Sequence, residues 1–360
     1  MSEEMLTFAR THIAGRPFWA EERMPQGLMA AMSIAGLFRI GLPPEHGGTG
    51  GGYPAIAAAE GALMEAGGIS GLGTVYGGHQ AVARYFLHGF ATPAQQARYL
   101  PALAAGASTV AVAISEPDVG AHPKRLTTTA TRVGDGWSLT GRKAYVTNGP
   151  LADLFVVLAI TAMVGERKRY SCFLVPRNAA GLIIHPAATP ASMRPAGHVS
   201  LTLENCLVPA AALLGPEGEA YERMALGFRD VEDALGCSGQ AGKLRHILAQ
   251  LAAEQGAAAP DEVAAELGAL AGLVALASEA ATTLASHVEQ ARILEPHAQA
   301  LTIGVRELST ELVRRIRALP VPPGVTRSER VEALLAGLEG GMRVARGPRT
   351  ARMVKLGRGL

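Results

Sequence analysis

The chain has 360 residues, with 33 Lys and Arg against 31 Asp and Glu, a near-neutral balance that gives no electrostatic case for nucleic acid. Hydrophobic residues make up 48% and aromatic ones only 5%, which suits packed helices better than base-stacking platforms. Cys172, Cys206 and Cys237 are too few and too scattered for a disulfide framework or a zinc site, and read as reduced, buried small hydrophobes. The first residues, MSEEMLTFARTHIAGRP, carry acids early and no apolar run, unlike a secretory signal. The longest uncharged helical run, Leu267 to Ser278, falls short of the ~20 apolar residues a bilayer span needs. These features predict a soluble, cytoplasmic protein without a membrane span, built from two or three structural units.

Residues 1–109 read as mainly helical. Leu28, Met29, Met32, Ile34, Leu37 and Phe38 follow helical spacing, and the loop LPPEHGGTGGGYP then interrupts. Its glycines, Gly47 to Gly52, lack the preceding strand and following Lys-Ser/Thr of a phosphate cradle, so they read as a turn. Residues 110–215 change character. Runs such as Leu154 to Ala159, Ser171 to Val175 and His198 to Leu203 are strand-like and separated by Gly, Pro and Asn, which predicts a small antiparallel barrel or sandwich. Residues 216–360 are helical again, broken at Gly256 to Pro260 and Pro320 to Pro323. The fold class is therefore α+β: an N-terminal helical domain, a middle β domain and a C-terminal helical bundle.

The stretch Ala111 to Gly149, AVAISEPDVGAHPKRLTTTATRVGDGWSLTGRKAYVTNG, carries polar residues at spacings that core packing does not explain. It resembles the flavin-contacting segment of the acyl-CoA dehydrogenases, which usually reads Thr/Ser-Glu-Pro-x-x-Gly-Ser followed by Asn-Gly-x-Lys-x-Trp-Ile-Thr-Asn-Gly. Three further segments resemble the same family: Leu42-Pro-Pro-Glu-His-Gly-Gly-Thr-Gly50, Phe90 to Gly106, and Glu204 to Pro209 with Leu213-Leu-Gly215. The resemblance is specific over roughly residues 35–245.

The resemblance implies FAD as cofactor and an acyl thioester, on coenzyme A or a carrier protein, as substrate. Ile114 and Ser115 would lie against the isoalloxazine, with Ser115 donating to the ring. Gly120 would allow close approach to pyrophosphate or thioester, and Thr147 would stand near flavin N5. Val146 belongs to the same contact, and Tyr145 takes the place of the family's tryptophan. For Ser115 and Thr147 taken singly, satisfying turn backbone is the competing role. Ala121 lacks the hydroxyl the family commonly has there, and His122 and Asp230 are candidate substrate contacts.

Desaturating an acyl thioester requires a base for the α-proton while a β-hydride passes to flavin N5. Family members place that glutamate either on the first C-terminal helix or in a late Tyr-Glu-Gly-Thr loop. Glu232 in Phe228-Arg-Asp-Val-Glu-Asp-Ala-Leu-Gly236 falls at the first place, with Asp233 where an arginine is usual. Glu339 in Leu338-Glu-Gly-Gly341 echoes the second. The family's phosphate-facing Arg-x-x-Phe-Gly is replaced by Ala257-Ala-Ala-Pro-Asp261, and the basic tail Arg343 to Arg358 reads as a solvated helical face. No metal-ligand spacing is present. Three readings remain open: an acyl-CoA dehydrogenase-like oxidoreductase, a non-catalytic subunit of a hetero-oligomer, and a monooxygenase or oxidase of the same fold. The implied partners are an electron-acceptor flavoprotein and further copies or relatives of the chain in a homo- or hetero-oligomer.

Overall fold

The computed structural model describes residues 3–17, 21–256, 259–321, 327–343 and 346–359. Helices α1 (Glu3–His12), α2 (Leu28–Ile34), α3 (Gly52–Glu65), α4 (Ser70–Val82) and α5 (Pro93–Ala104) precede the sheet. Eight strands follow: β1 (Val110–Ala113), β2 (Thr129–Val133), β3 (Gly136–Thr147), β4 (Leu154–Val164), β5 (Arg167–Pro176), β6 (Leu182–Ala187), β7 (His198–Pro209) and β8 (Leu213–Leu214). Helices α6 (Leu226–Gln255), α7 (Asp261–Glu289), α8 (Pro296–Ala318), α9 (Glu329–Arg343) and α10 (Arg346–Gly357) close the chain. This is the expected helix–sheet–helix architecture.

The sheet runs β6-β7-β3-β2-β4-β5-β8, with β1 also on β4. It is mixed, not purely antiparallel as the sequence suggested: β1 and β2 both run parallel to β4. The physical reason is the loop 114–128. A tight hairpin would force β1 and β2 antiparallel, whereas this longer connection lets both lie along β4 in one direction. The same loop holds the Ile-Ser-Glu-Pro motif.

Three cores share the structure. One fills the sheet domain, with Trp137, Phe155 and Phe173. A second joins α1 to α4 with the C-terminal helices. The third lies where helices and sheet meet, drawing Phe86 from the N-terminal part, Val156 and Leu174 from the sheet, and Phe228 from α6. The α5 start reinforces that junction. Thr92 and Gln95 form a reciprocal capping box, and Gln95 Nε2 donates to Ala211 O and Leu213 O, each at 2.8 Å.

The glycine-rich loop ends on the N-terminus of α3. There Tyr53 N–H donates to the Glu289 carboxylate at 2.8 Å, and Arg84 pairs with that carboxylate at 2.7 Å. The anion that a helix N-terminus favours is thus supplied by α7, in keeping with the turn reading. Helix α7, at 29 residues, is long and apolar enough to cross a membrane by length and composition, which the run Leu267 to Ser278 did not disclose. Here it packs against α3, α6 and α8.

Helices α3 and α6 cross at two glycines. A Cβ on Gly242 would stand 2.1 Å from the Gly61 carbonyl oxygen. Alanine at 242 should therefore lower stability by about 1–3 kcal/mol, against a helix-propensity gain of at most about 1 kcal/mol. Thermal or urea unfolding of Gly242→Ala checks this; an unchanged or raised midpoint would contradict the close crossing.

Candidate functional site

The Ile-Ser-Glu-Pro turn and the strand Arg-Lys-Ala-Tyr-Val-Thr form one unit. Glu116 and Gly120 close a tight turn through N–H to carbonyl bonds in both directions, at 3.0 and 3.1 Å. The Glu116 side chain turns inward and accepts from Thr127 N–H at 2.7 Å, Thr127 Oγ1 at 2.8 Å and Thr128 N–H at 2.9 Å. Its fourth partner is Lys143 Nζ at 3.1 Å, which also donates to the Ile114 carbonyl. Across the same gap Ala144 N–H donates to Ser115 O at 2.9 Å. Both charged groups are buried. Burial alone would raise the Glu116 carboxyl, but Lys143 and the threonine hydrogen bonds outweigh it and hold it at about 2. Neither residue stood out in the sequence as part of the site, although the Glu-Pro and Gly-x-Lys motifs contain them.

The register of β3 against β7 slips between Lys143 and Val146, and Tyr145 takes a φ of 57° there. Such a bulge re-aims side chains, and the Tyr145 ring is left 65% exposed, while Val146 points into the sheet core. Thr147 Oγ1 lies 3.1 Å from His198 Nε2. His198 is buried, its pKa is lowered by desolvation, and its Nδ1 has no partner among the described residues. A neutral histidine therefore fixes the Thr147 hydroxyl, a pairing across 51 positions that no local motif announces. Asn148 then docks the strand end on α4, its Nδ2 donating to Thr74 O and Val75 O.

Ile114 and Ser115 are half-buried at the edge of this unit. Gly120 has a φ of 58°, and a Cβ there would meet nothing within 4 Å. The turn's left-handed backbone favours glycine here. Ala121 and His122 are exposed; the Ala121 carbonyl accepts from Tyr221 OH at 3.2 Å, which ties this loop to the turn before α6.

On α6 the acidic residues divide. Asp230, expected as a substrate contact, is buried and paired with Arg352 at 2.7 Å. Asp233 pairs with Arg306 at 2.5 Å and with Arg352 at 3.0 Å. The arginine missing from the α6 sequence is thus matched in space by two arginines from α8 and α10, and the tail is docked through Arg352 instead of forming a wholly solvated face. Glu232 remains free of ion pairs among the described residues. Solvent reaches it, yet protein surrounds it densely enough that desolvation, then Asp233, pushes its carboxyl up to about 7 against the opposing effect of Arg229. Glu339 sits elsewhere, on α9, where it pairs with Arg317 at 3.1 Å beside Glu332. That ion-pair network staples α9 to α8 and engages the carboxylate that the sequence offered as a second candidate base. Of the segment replacing Arg-x-x-Phe-Gly, residues 257–258 lie outside the described residues, and Asp261 starts α7.

Consecutive parts of the chain match two family models: "Acyl-CoA dehydrogenase, N-terminal domain" over residues 1–107 and "Acyl-CoA dehydrogenase, middle domain" over residues 111–206. The chain belongs to the acyl-CoA dehydrogenase family. It is 32% identical to a mitochondrial isovaleryl-CoA dehydrogenase of Oryza sativa subsp. japonica over 61% of this chain and 53% of that one. It thus spans little more than half the length of that relative. The fold extends further than the sequence match. Butyryl-CoA dehydrogenase of Megasphaera elsdenii superposes with a TM-score of 0.85 at 18% identity over 100% of this chain and 98% of that one. A glutaryl-CoA dehydrogenase of Mycobacterium smegmatis, solved with FADH2, gives 0.82 at 20% identity, covering 100% and 95%. In this member of the family the Glu116–Lys143 pair is the internal brace of the site-facing loop.

Replacing Lys143 with Met leaves the Glu116 carboxylate buried without its cation, and should cost about 3–5 kcal/mol in urea unfolding. The sign with pH follows from the depressed Glu116 value. The wild type keeps this contribution above the ordinary carboxylate range and loses it as pH falls toward about 2. Acid titration should show that loss in the wild type and not in Lys143→Met, and adding Glu116→Gln to the variant should recover part of the stability. Equal acid sensitivity in both proteins would count against the brace.

Proposed function

We propose that this chain is a flavin-dependent oxidoreductase that removes the α-proton of an acyl thioester with Glu232 while the β-hydride leaves for FAD. The observation that carries the reading is Glu232 itself. It is open to solvent and poised near neutrality, while the flanking Asp230 and Asp233 are taken up by arginines. A general base works best with a pKa near the operating pH, and perturbed carboxylates of this kind cluster at functional sites.

The residues of the sheet face fit the ring end of FAD. The Tyr145 ring is exposed, the Thr147 hydroxyl is held by a neutral His198, and the Ser115 backbone is fixed through Ala144. Together they offer an aromatic face and oriented donors on rigid strands, as a flavin site needs. Ile114, Ser115, Val146 and Thr147 would line the ring, and Tyr145 would cover it. When bound, FAD supplies a hydride acceptor.

The chain's own part is to hold thioester and ring in order. Lys143 and Glu116 fix the loop that carries Ser115, Asn148 anchors the strand end to α4, and Glu232 receives the α-proton. For the diphosphate end, the missing Arg-x-x-Phe-Gly favours completion by a second subunit. Reoxidation would pass the electrons to an electron-acceptor flavoprotein, and we place the protein in the cytoplasm.

The test is spectroscopic. The purified protein should be yellow, alone or with its partner subunit, and an acyl thioester should bleach it anaerobically. Glu232→Gln should keep the flavin and lose bleaching by at least about a hundredfold. Because the base acts deprotonated, the wild-type bleaching rate should fall as pH drops below about 7. Undiminished bleaching by Glu232→Gln would sink the assignment.

A further inference from the structure

The face of α6 that carries Glu232 continues through Gly236, Gly239 and Lys243, spaced four, three and four residues apart as one helical stripe requires. A Cβ at Gly236 would meet nothing within 4 Å, so the surface beside Glu232 is open. At Gly239 a Cβ would stand 2.6 Å from Oε1 of Glu60, which reaches in from α3. Helix α4 meets the same carboxyl with two more glycines. Cβ atoms there would lie 3.2 Å from Oε1 at Gly73 and 2.4 Å from Oε2 at Gly77. Seven residues of helix rise separate Gly239 from Glu232, ~10 Å along the axis. The stripe therefore leads from the proposed base past the open Gly236 to the buried Gly239, where the carboxylate of Glu60 packs against the helix.

Glu60 is only 9% exposed, and among the described residues no hydrogen-bond donor reaches it. Lys243 acts on it electrostatically but spends its ammonium on Ser70 Oγ. The Tyr76 hydroxyl, buried within the field of Glu60, is also without a partner. Burial pushes the Glu60 carboxyl well above its ordinary range, and Lys243 offsets this only in part. Buried polar groups are normally paired, and a desolvated carboxylate is best stabilised by a cation that hydrogen-bonds it. The glycines of α4 and α6 bring backbone, not side chains, against it.

We propose that Glu60 is a specificity-determining residue that selects short acyl thioesters bearing an amine, the ammonium pairing with its carboxylate while Glu232 faces the α-carbon. The inference rests on the reading of Glu232 given above. A hydroxyl would offer a hydrogen bond but no charge, and an alkyl tail would leave the carboxyl unsatisfied, so the amine is the better complement.

The experiment compares S-(4-aminobutanoyl)-pantetheine with the near-isosteric S-pentanoyl-pantetheine, since pantetheine is common to coenzyme A and carrier proteins. Anaerobic calorimetry reads binding and flavin bleaching reads reaction. The wild type should bind the amino thioester at least about tenfold more tightly, the scale of a hydrogen bond to a charged group. Glu60→Gln should abolish that preference and raise KM for the amino thioester by a similar factor, with its kcat and the pentanoyl parameters within about twofold. Glu60→Asp should restore part of it. Equal binding of the two thioesters by the wild type, binding of neither, or equal weakening of both by Glu60→Gln would overturn the proposal. A Glu60-dependent preference in calorimetry without bleaching would uphold it while removing the redox reading. Bleaching by both thioesters without preference would do the reverse.

Discussion

The buried pair between Glu116 and Lys143 is the contact on which the site-facing surface depends. One carboxylate collects Thr127, Thr128 and Lys143, and the same ammonium reaches the Ile114 carbonyl. Loop and strand, separated by more than twenty positions, therefore cannot move independently. Such pairs are a poor source of net stability, because two desolvated charges nearly cancel their own attraction. Their use here is geometric: with four acceptor contacts filled, the carboxylate allows one arrangement of the loop, and Ser115 follows.

Helix α6 organises the other side by sorting its charges. Asp230 and Asp233 turn toward Arg306 and Arg352, and Glu232 is left on the opposite front with a stripe of glycines beyond it. A helix delivers this division automatically, since neighbours in sequence point about 100° apart while residues four and seven apart share a face. Gly236 leaves the surface beside Glu232 open, while Gly239 lets Glu60 of α3 pack closely on α6.

Legibility in the sequence followed distance along the chain. The motif Ile-Ser-Glu-Pro, the Thr-rich strand and the Lys-Ala-Tyr-Val-Thr run were readable because turns and strands are local devices. The small residues after Glu232 were readable as a helical register, which is how that glutamate was singled out. The Glu-Gly-Gly echo at Glu339 says nothing of its ion pair with Arg317, and Asp230 looked available because Arg352 lies 122 positions away, on α10. Gly120 was singled out by its place in the motif, and its left-handed backbone favours glycine there.

By itself the amino-acid sequence determined the order of helices and strands, the family likeness and the motifs of the Ile-Ser-Glu-Pro loop, because periodicity, turn chemistry and short spacings are written locally. Only the tertiary structure decided which carboxylates are spent on arginines, that His198 holds Thr147, and that Glu60, between α4 and α6, has no hydrogen-bond donor among the described residues. Those outcomes depend on side chains brought together from distant elements, and burial, which shifts a pKa or leaves a group without a partner, exists only once the chain has folded.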